Sequence, residues 1–108
     1  MSIEQANVID LIGTDRADGH VTLTIIDHLP WLSDNEHLLL LQTKLNGYLD
    51  FIESGQIYDD YPNAIDRDFE ISIVCMHKPE GDAIRFLELA GETIRNAGYR
   101  FSVQHRPL

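Results

Sequence analysis

The sequence predicts an α+β fold: a two-layer sandwich in which a four-stranded mixed sheet carries two helices on one face. Three observations point there. Two β-rich runs meet at a glycine-bearing turn near the N-terminus. Two later stretches repeat apolar residues at three and four, the period of a helix with one buried face. Each of these is followed by a run that alternates with period two. The element order is therefore ββαβαβ. The 108 residues, 44% of them apolar, suffice for one globular domain spanning residues 1–108.

Residues 7–13 and 20–27 form the opening strand pair. In the second, Val21, Leu23 and Ile25 alternate with Thr22, Thr24 and Ile26. Asp15-Arg16-Ala17-Asp18-Gly19 reads as the hairpin loop, with Gly19 free to take a positive φ. Helix one is expected over residues 34–54. Ser33-Asp34-Asn35-Glu36 has capping-box spacing, and Asp34 and Glu36 suit the positive end of the helix dipole. Leu38, Leu41, Leu45, Tyr48, Leu49 and Ile52 share its buried face, and Gly55 can close it in a left-handed cap. Leu40, Gly47 and Phe51 lie nearly opposite, as a shallow apolar ridge that is either covered by a neighbour or used by a partner.

Residues 56–67 read as a long polar connection, a length at which loops often carry function. The third strand, 68–77, sets Phe69, Ile71, Ile73 and Cys75 against Glu70, Ser72, Val74 and Met76. Its second face turns apolar at Val74 and Met76, so that end is expected to be covered on both sides or to meet a partner. Pro79 suits the first turn of helix two. That helix has an inward stripe of Ala83, Leu87, Ala90, Ile94 and Ala97, with Gly98 as its C′ residue. Gly91, beside the stripe, predicts a close approach of helix one. Tyr99, Phe101 and Val103 alternate in a short last strand. Strand–helix–strand connections imply parallel neighbours and right-handed crossovers, which place both helices on one face when the progression is simple. The strand order itself is left open.

Charge narrows the partners. Eighteen acidic residues against eight basic ones give −10. No basic patch exists to neutralise a run of phosphates, so nucleic acid is not an expected partner. Anionic membrane surfaces would be repelled, and no run approaches a membrane span. The single cysteine, Cys75, and an N-terminal stretch with neither a cationic start nor an apolar run fit a cytoplasmic protein.

Three groups could carry chemistry. Cys75-Met76-His77 puts two zinc-type ligands one residue apart, but no second pair follows, so the expected reading is a buried cysteine and a strand-end histidine. Asp27, His28, Trp31 and His37 gather where a strand hands over to helix one, and a histidine near a carboxylate can act as a base. No nucleophile stands in a recognisable motif there, so Trp31 is expected as a lid over the core edge and His37 as a packing or capping residue. The segment around Tyr58, Asp59, Asp60 and Tyr61 is dense in acid and aromatics, with Asp66, Asp68 and Glu70 beyond it. Its spacing is not that of a calcium loop, and aromatic anchors beside charge suit an interface with a basic protein. No catalytic residue, metal or cofactor is assigned.

The stretch Asn35-Glu36-His37-Leu38-Leu39-Leu40-Leu41-Gln42, continued by Tyr48-Leu49-Asp50-Phe51-Ile52-Glu53-Ser54-Gly55 and Tyr61-Pro62, resembles a family of small bacterial proteins designated domain of unknown function 6572. Asn7-Val8-Ile9-Asp10 and the Asp27-His28-Leu29 to Trp31 segment extend the similarity over most of the chain. The resemblance implies a bacterial cytoplasmic protein of this size, and carries no catalytic residues with it. Two functions follow as expectations. One is a protein-binding module, of inhibitor or immunity type, that docks a basic protein through Tyr58, Asp59, Asp60 and Tyr61, with Leu40 and Phe51 as a further contact ridge. The other is a small enzyme or ligand-binding domain using Asp27, His28, Trp31 and His37. A homodimer through Val74 and Met76, or through Leu40 and Phe51, is compatible with either.

Overall fold

In the second strand the alternation seen in the sequence becomes a two-faced ribbon. Val21, Leu23, Ile25 and Asp27 are buried, while Thr22, Thr24 and Ile26 are half-buried on the other side. The computed structural model describes residues 3–5, 8–31 and 35–107. Its elements are β1 (Leu11–Thr14), β2 (Val21–Asp27), α1 (Glu36–Glu53), α2 (Gln56–Asp60), β3 (Phe69–Cys75), α3 (Asp82–Asn96) and β4 (Arg100–His105), with a 3-10 turn at Pro62–Ala64.

The sheet order is β1-β2-β3-β4. β1 runs antiparallel to β2, whereas β2–β3 and β3–β4 are parallel. Both crossovers step one strand in the same direction, and right-handed connections then put α1 and α3 on one face. Leu41, Leu45, Tyr48 and Ile52 of α1 and Leu87 and Ile94 of α3 join Leu23, Ile25, Ile71 and Ile73 in one core. The predicted two-layer α+β architecture is observed. Among the described residues no helix covers the opposite face, with Thr22, Thr24, Glu70, Ser72 and Ser102, and Val74 lies half-buried there beside Ile26. Among the described residues no helix is long and apolar enough to cross a membrane.

Several boundaries differ from the sequence reading. β1 begins at Leu11 rather than at residue 7, which lies outside the described residues. The ladder ends there because the Asp10 carboxylate, not a backbone carbonyl, accepts the Ile26 N–H at 2.9 Å. α1 starts at Glu36; Ser33 and Asp34, the first half of the expected capping box, lie outside the described residues, and Asn35 makes no side-chain cap. Gly55 does adopt the left-handed conformation, at φ 85°. The expected polar connection is instead α2 and the 3-10 turn, because Ile57 and Ala64 are both fully buried and pin the segment to the core.

Helix α3 begins at Asp82, after Pro79, with Gly81 at positive φ before it. Its buried stripe is Ala83, Leu87, Gly91 and Ile94; Ala90 is half-buried and Ala97 exposed. A Cβ on Gly91 would meet Phe101 and the Arg95 guanidinium at 3.0 Å, so the close approach is to β4 and not to α1. Gly98 N–H bonds to the Arg95 carbonyl and Tyr99 N–H to the Ile94 carbonyl, a Schellman closure that turns the chain into β4.

Candidate functional site

Helix α1 determines where side chains with chemistry end up. Its buried stripe, read at helical spacing, contains three polar residues: His37, Lys44 and Tyr48. Each is held by the β1–β2 side of the molecule. Lys44 Nζ donates to Asp10 Oδ1 at 2.9 Å and to the Gln5 carbonyl at 3.1 Å, and both charged side chains are shielded from solvent. Tyr48 Oη accepts the Asp10 N–H at 2.9 Å and donates to the Thr24 carbonyl at 2.8 Å. Burial pushes the Tyr48 phenol well above its ordinary value, so it stays a neutral donor.

His37 carries the third tie. Its Nδ1 lies 3.1 Å from the Pro30 carbonyl and its Nε2 2.6 Å from Asp27 Oδ2. A carbonyl can only accept, so Nδ1 is the donor on that side, and Nε2 is the ring nitrogen that meets the carboxyl group. The Leu29 N–H reaches Asp27 Oδ1 at 3.1 Å. Trp31 stacks flat on the imidazole, with ring centroids 3.9 Å apart, and its Nε1–H donates to the His77 carbonyl at 2.9 Å. Cys75 pairs with Asp27 across β2 and β3. Burial first, and the nearby Asp27 charge second, push its thiol up to about 12.

Of the four residues expected to cluster, Asp27, Trp31 and His37 therefore meet. His28 does not: it is exposed, with Nε2 4.0 Å from Glu4. Period two already implied this, since a strand that buries Asp27 turns His28 to the other side. What the trio does is couple the end of β2 to the first turn of α1. Asp27 is fully buried and His37 nearly so.

The second expected surface divides in a different way. Tyr58 turns toward Phe69, 6.2 Å between ring centroids, which in turn faces Tyr99 edge-on. Asp59 is exposed, and Leu40 packs half-buried on the core margin. Phe51, Asp60 and Tyr61, by contrast, come together. With Ile9, Ile12, Gly47 and Gln56 they line one groove of about 520 Å³. Its walls are β1 on one side, the outer flank of α1 on the other and α2 at the end. Tyr61 Oη and Thr14 Oγ1 share a hydrogen bond of 2.9 Å, tying the α2 end to the end of β1. Ile9, Ile12 and Gln56 were not foreseen; Ile12 could have been, as the inward position of an edge strand. A second, apolar cleft of about 320 Å³ lies between α1 and α3, lined by residues including Leu45, Leu49, Phe86 and Leu89.

On the open sheet face His20 sits between two carboxylates, with Nδ1 on Asp18 and Nε2 2.7 Å from Glu70. Glu70 also accepts from Ser102, and Asp18 from Arg100 at 2.9 Å. Asp18 in the first place, and Glu70 after it, raise the His20 pKa against its burial. The ligand atoms of Asp15, Asp18 and His20 lie within 4.8 Å of one another, the spacing of a metal site. Asp15 Oδ1 is already engaged by the Ala17 and Asp18 N–H groups and Asp18 by Arg100, so the group clasps the hairpin to β4.

Fold and site together define a small acidic α+β sandwich with an aromatic-acidic groove beside an edge strand. The chain belongs to the family of unknown function DUF6572, whose model matches residues 1–107. No curated protein and no solved structure matches it.

Proposed function

We propose that the protein is a protein-binding module, of inhibitor or immunity type, that docks a basic partner in the groove between β1, α1 and α2. The observation that carries this is the convergence of Phe51, Asp60 and Tyr61 with Ile9, Ile12 and Gly47. An aromatic floor supplies apolar area, an acidic rim supplies orientation, and the net charge of −10 draws a cationic partner from a distance. The Asp27–His37 pair supports this reading over an enzymatic one, because its polar atoms face protein partners in the fold. Simple progression of the sheet also leaves no reversal of strand order, the place where α/β enzymes open a crevice. A bacterial cytoplasmic setting belongs to the proposal and is consistent with the lone, buried Cys75.

Affinity capture from a bacterial host at low salt tests this with four proteins: wild type, Phe51→Ala, Asp60→Lys and, as a control in the other cleft, Leu89→Lys. Circular dichroism confirms that each is folded. One stoichiometric basic protein should be retained by wild type and Leu89→Lys. Phe51→Ala should weaken it by about thirtyfold, the loss expected for a central aromatic anchor. Equal retention by all four, an acidic partner, or no stoichiometric partner would each overturn the reading.

A further inference from the structure

The groove has one wall that can do more than offer side chains. The Asp15 N–H donates to the His20 carbonyl at 2.8 Å, which fixes the phase of the β1–β2 ladder. In an antiparallel pair bonded and unbonded positions alternate, so Gly13 with Thr22 and Leu11 with Thr24 are the bonded pairs. Ile12 and Thr14 then turn both their N–H and C=O groups away from β2. β1 is the edge of the sheet, and among the described residues no strand pairs with its far side.

Edge strands are ordinarily protected by charge, proline or a bulge. Leu11-Ile12-Gly13-Thr14 contains no charge and no proline, and Leu11 is half exposed, at 52%. The unpaired backbone of Ile12 lies along the same groove that Gly47, Phe51 and Tyr61 line. A strand laid there would send alternate side chains toward α1, where Gly47 offers no side chain to obstruct them.

We infer that the groove takes its partner as an added β-strand: an extended, lysine- or arginine-bearing segment pairs with the free edge of β1 at Ile12 and Thr14. The inference rests on the binding-module reading above and specifies its mode. Charge selects the occupant. A second copy of this chain would bring another −10 to the edge, whereas a cationic segment meets Asp60 on the groove and the exposed Asp15 beyond Thr14. Four residues of β1 pair with about four residues of partner, roughly 13 Å of extended chain.

The test is amide hydrogen exchange by NMR on the full chain at low salt. The probe is the synthetic peptide acetyl-Lys-Val-Lys-Val-Lys-Val-Lys-amide, compared with its counterpart N-methylated at alternate residues. With the parent peptide at saturation, exchange at Ile12 and Thr14 should slow by about tenfold or more, and the N-methylated peptide should fail to produce this. Shifts at Phe51 and Tyr61 with unchanged exchange at Ile12 and Thr14, and equal binding of both peptides, would overturn strand addition while leaving the groove reading intact. No perturbation at either place with millimolar peptide would overturn both. Protection at Ile12 and Thr14 that grows with protein concentration in the absence of peptide would assign the edge to a second copy and overturn the cationic partner.

Discussion

Lys44→Met isolates the least expected feature of the core. Lys44 and Asp10 are 2.9 Å apart, with neither side chain accessible to solvent. Methionine keeps the length and apolar stem of lysine but leaves the buried Asp10 carboxylate without its ammonium partner, while the Ile26 N–H still donates to it at 2.9 Å. Removing one member of a buried ion pair costs about 3–5 kcal/mol, because the remaining charge is uncompensated. A domain of this size has about 5–15 kcal/mol in all, so the variant sits near the edge of folding. With a urea m-value of about 1–3 kcal/mol/M, the midpoint should fall by roughly 2 M. Far-UV dichroism and Trp31 fluorescence should report the same transition. Adding Asp10→Asn removes the stranded charge while keeping an acceptor for the Ile26 N–H. The double variant should therefore cost less than the two single ones summed, by about 1–3 kcal/mol. A single-variant loss below about 1 kcal/mol, or strict additivity, would refute the claim that this pair holds α1 to the segment before β1.

Two further outcomes follow from the titrating groups. Cys75, its thiol pushed up to about 12 by burial, should resist a disulfide-exchange reagent at neutral pH until the protein unfolds; modification of the native protein within seconds would contradict its placement. His20 has a raised pKa, so its contribution is fully present below the unfolded histidine value of about 6.5 and fades as pH rises through the higher folded value. Thermal unfolding should show wild type more stable than His20→Gln at acidic pH, with the gap closing toward alkaline pH; a gap that widens with pH would refute the carboxylate clasp.

How much of this was legible depended on whether one physical cause dominated locally. β2 and β3 were legible because burial on one face imposes period two, and Phe69, Ile71, Ile73 and Cys75 are all buried as read. Gly55 and Gly98 were legible because a left-handed cap asks for glycine. α2 was not, since five residues with one deeply buried side chain, Ile57, show no period. Lys44 escaped notice because a lysine is read as solvated unless its partner is known, and Asp10 lies 34 positions away. Phe51 and Gly47 read as a ridge either covered or used by a partner, and Asp60 and Tyr61 as part of an interface segment, but only the turn at Gly55 brings them into one groove. His28 was grouped with Asp27 by proximity in sequence, which the pleat of a strand reverses.

The polar ties along α1 also hold one wall of the groove. His37 anchors the helix to the end of β2, and Lys44 and Tyr48 anchor it beside Asp10. Gly47 and Phe51 lie on the flank of the same helix, so the wall facing β1 is fixed from behind. If the groove binds as proposed, a wall held by buried partners is organised in advance, which lowers the ordering cost of association.

Photocrosslinking from within the groove tests the central claim most directly. p-Benzoylphenylalanine at position 51 keeps the phenyl ring and extends it by a photoreactive benzoyl group, and irradiation in living bacterial cells records what lies against it. The predicted result is one dominant adduct with a basic protein, mapped by mass spectrometry to a short extended segment bearing lysine or arginine. An adduct with another copy of this chain, or crosslinking no stronger than from the same probe at exposed position Leu89, would contradict it.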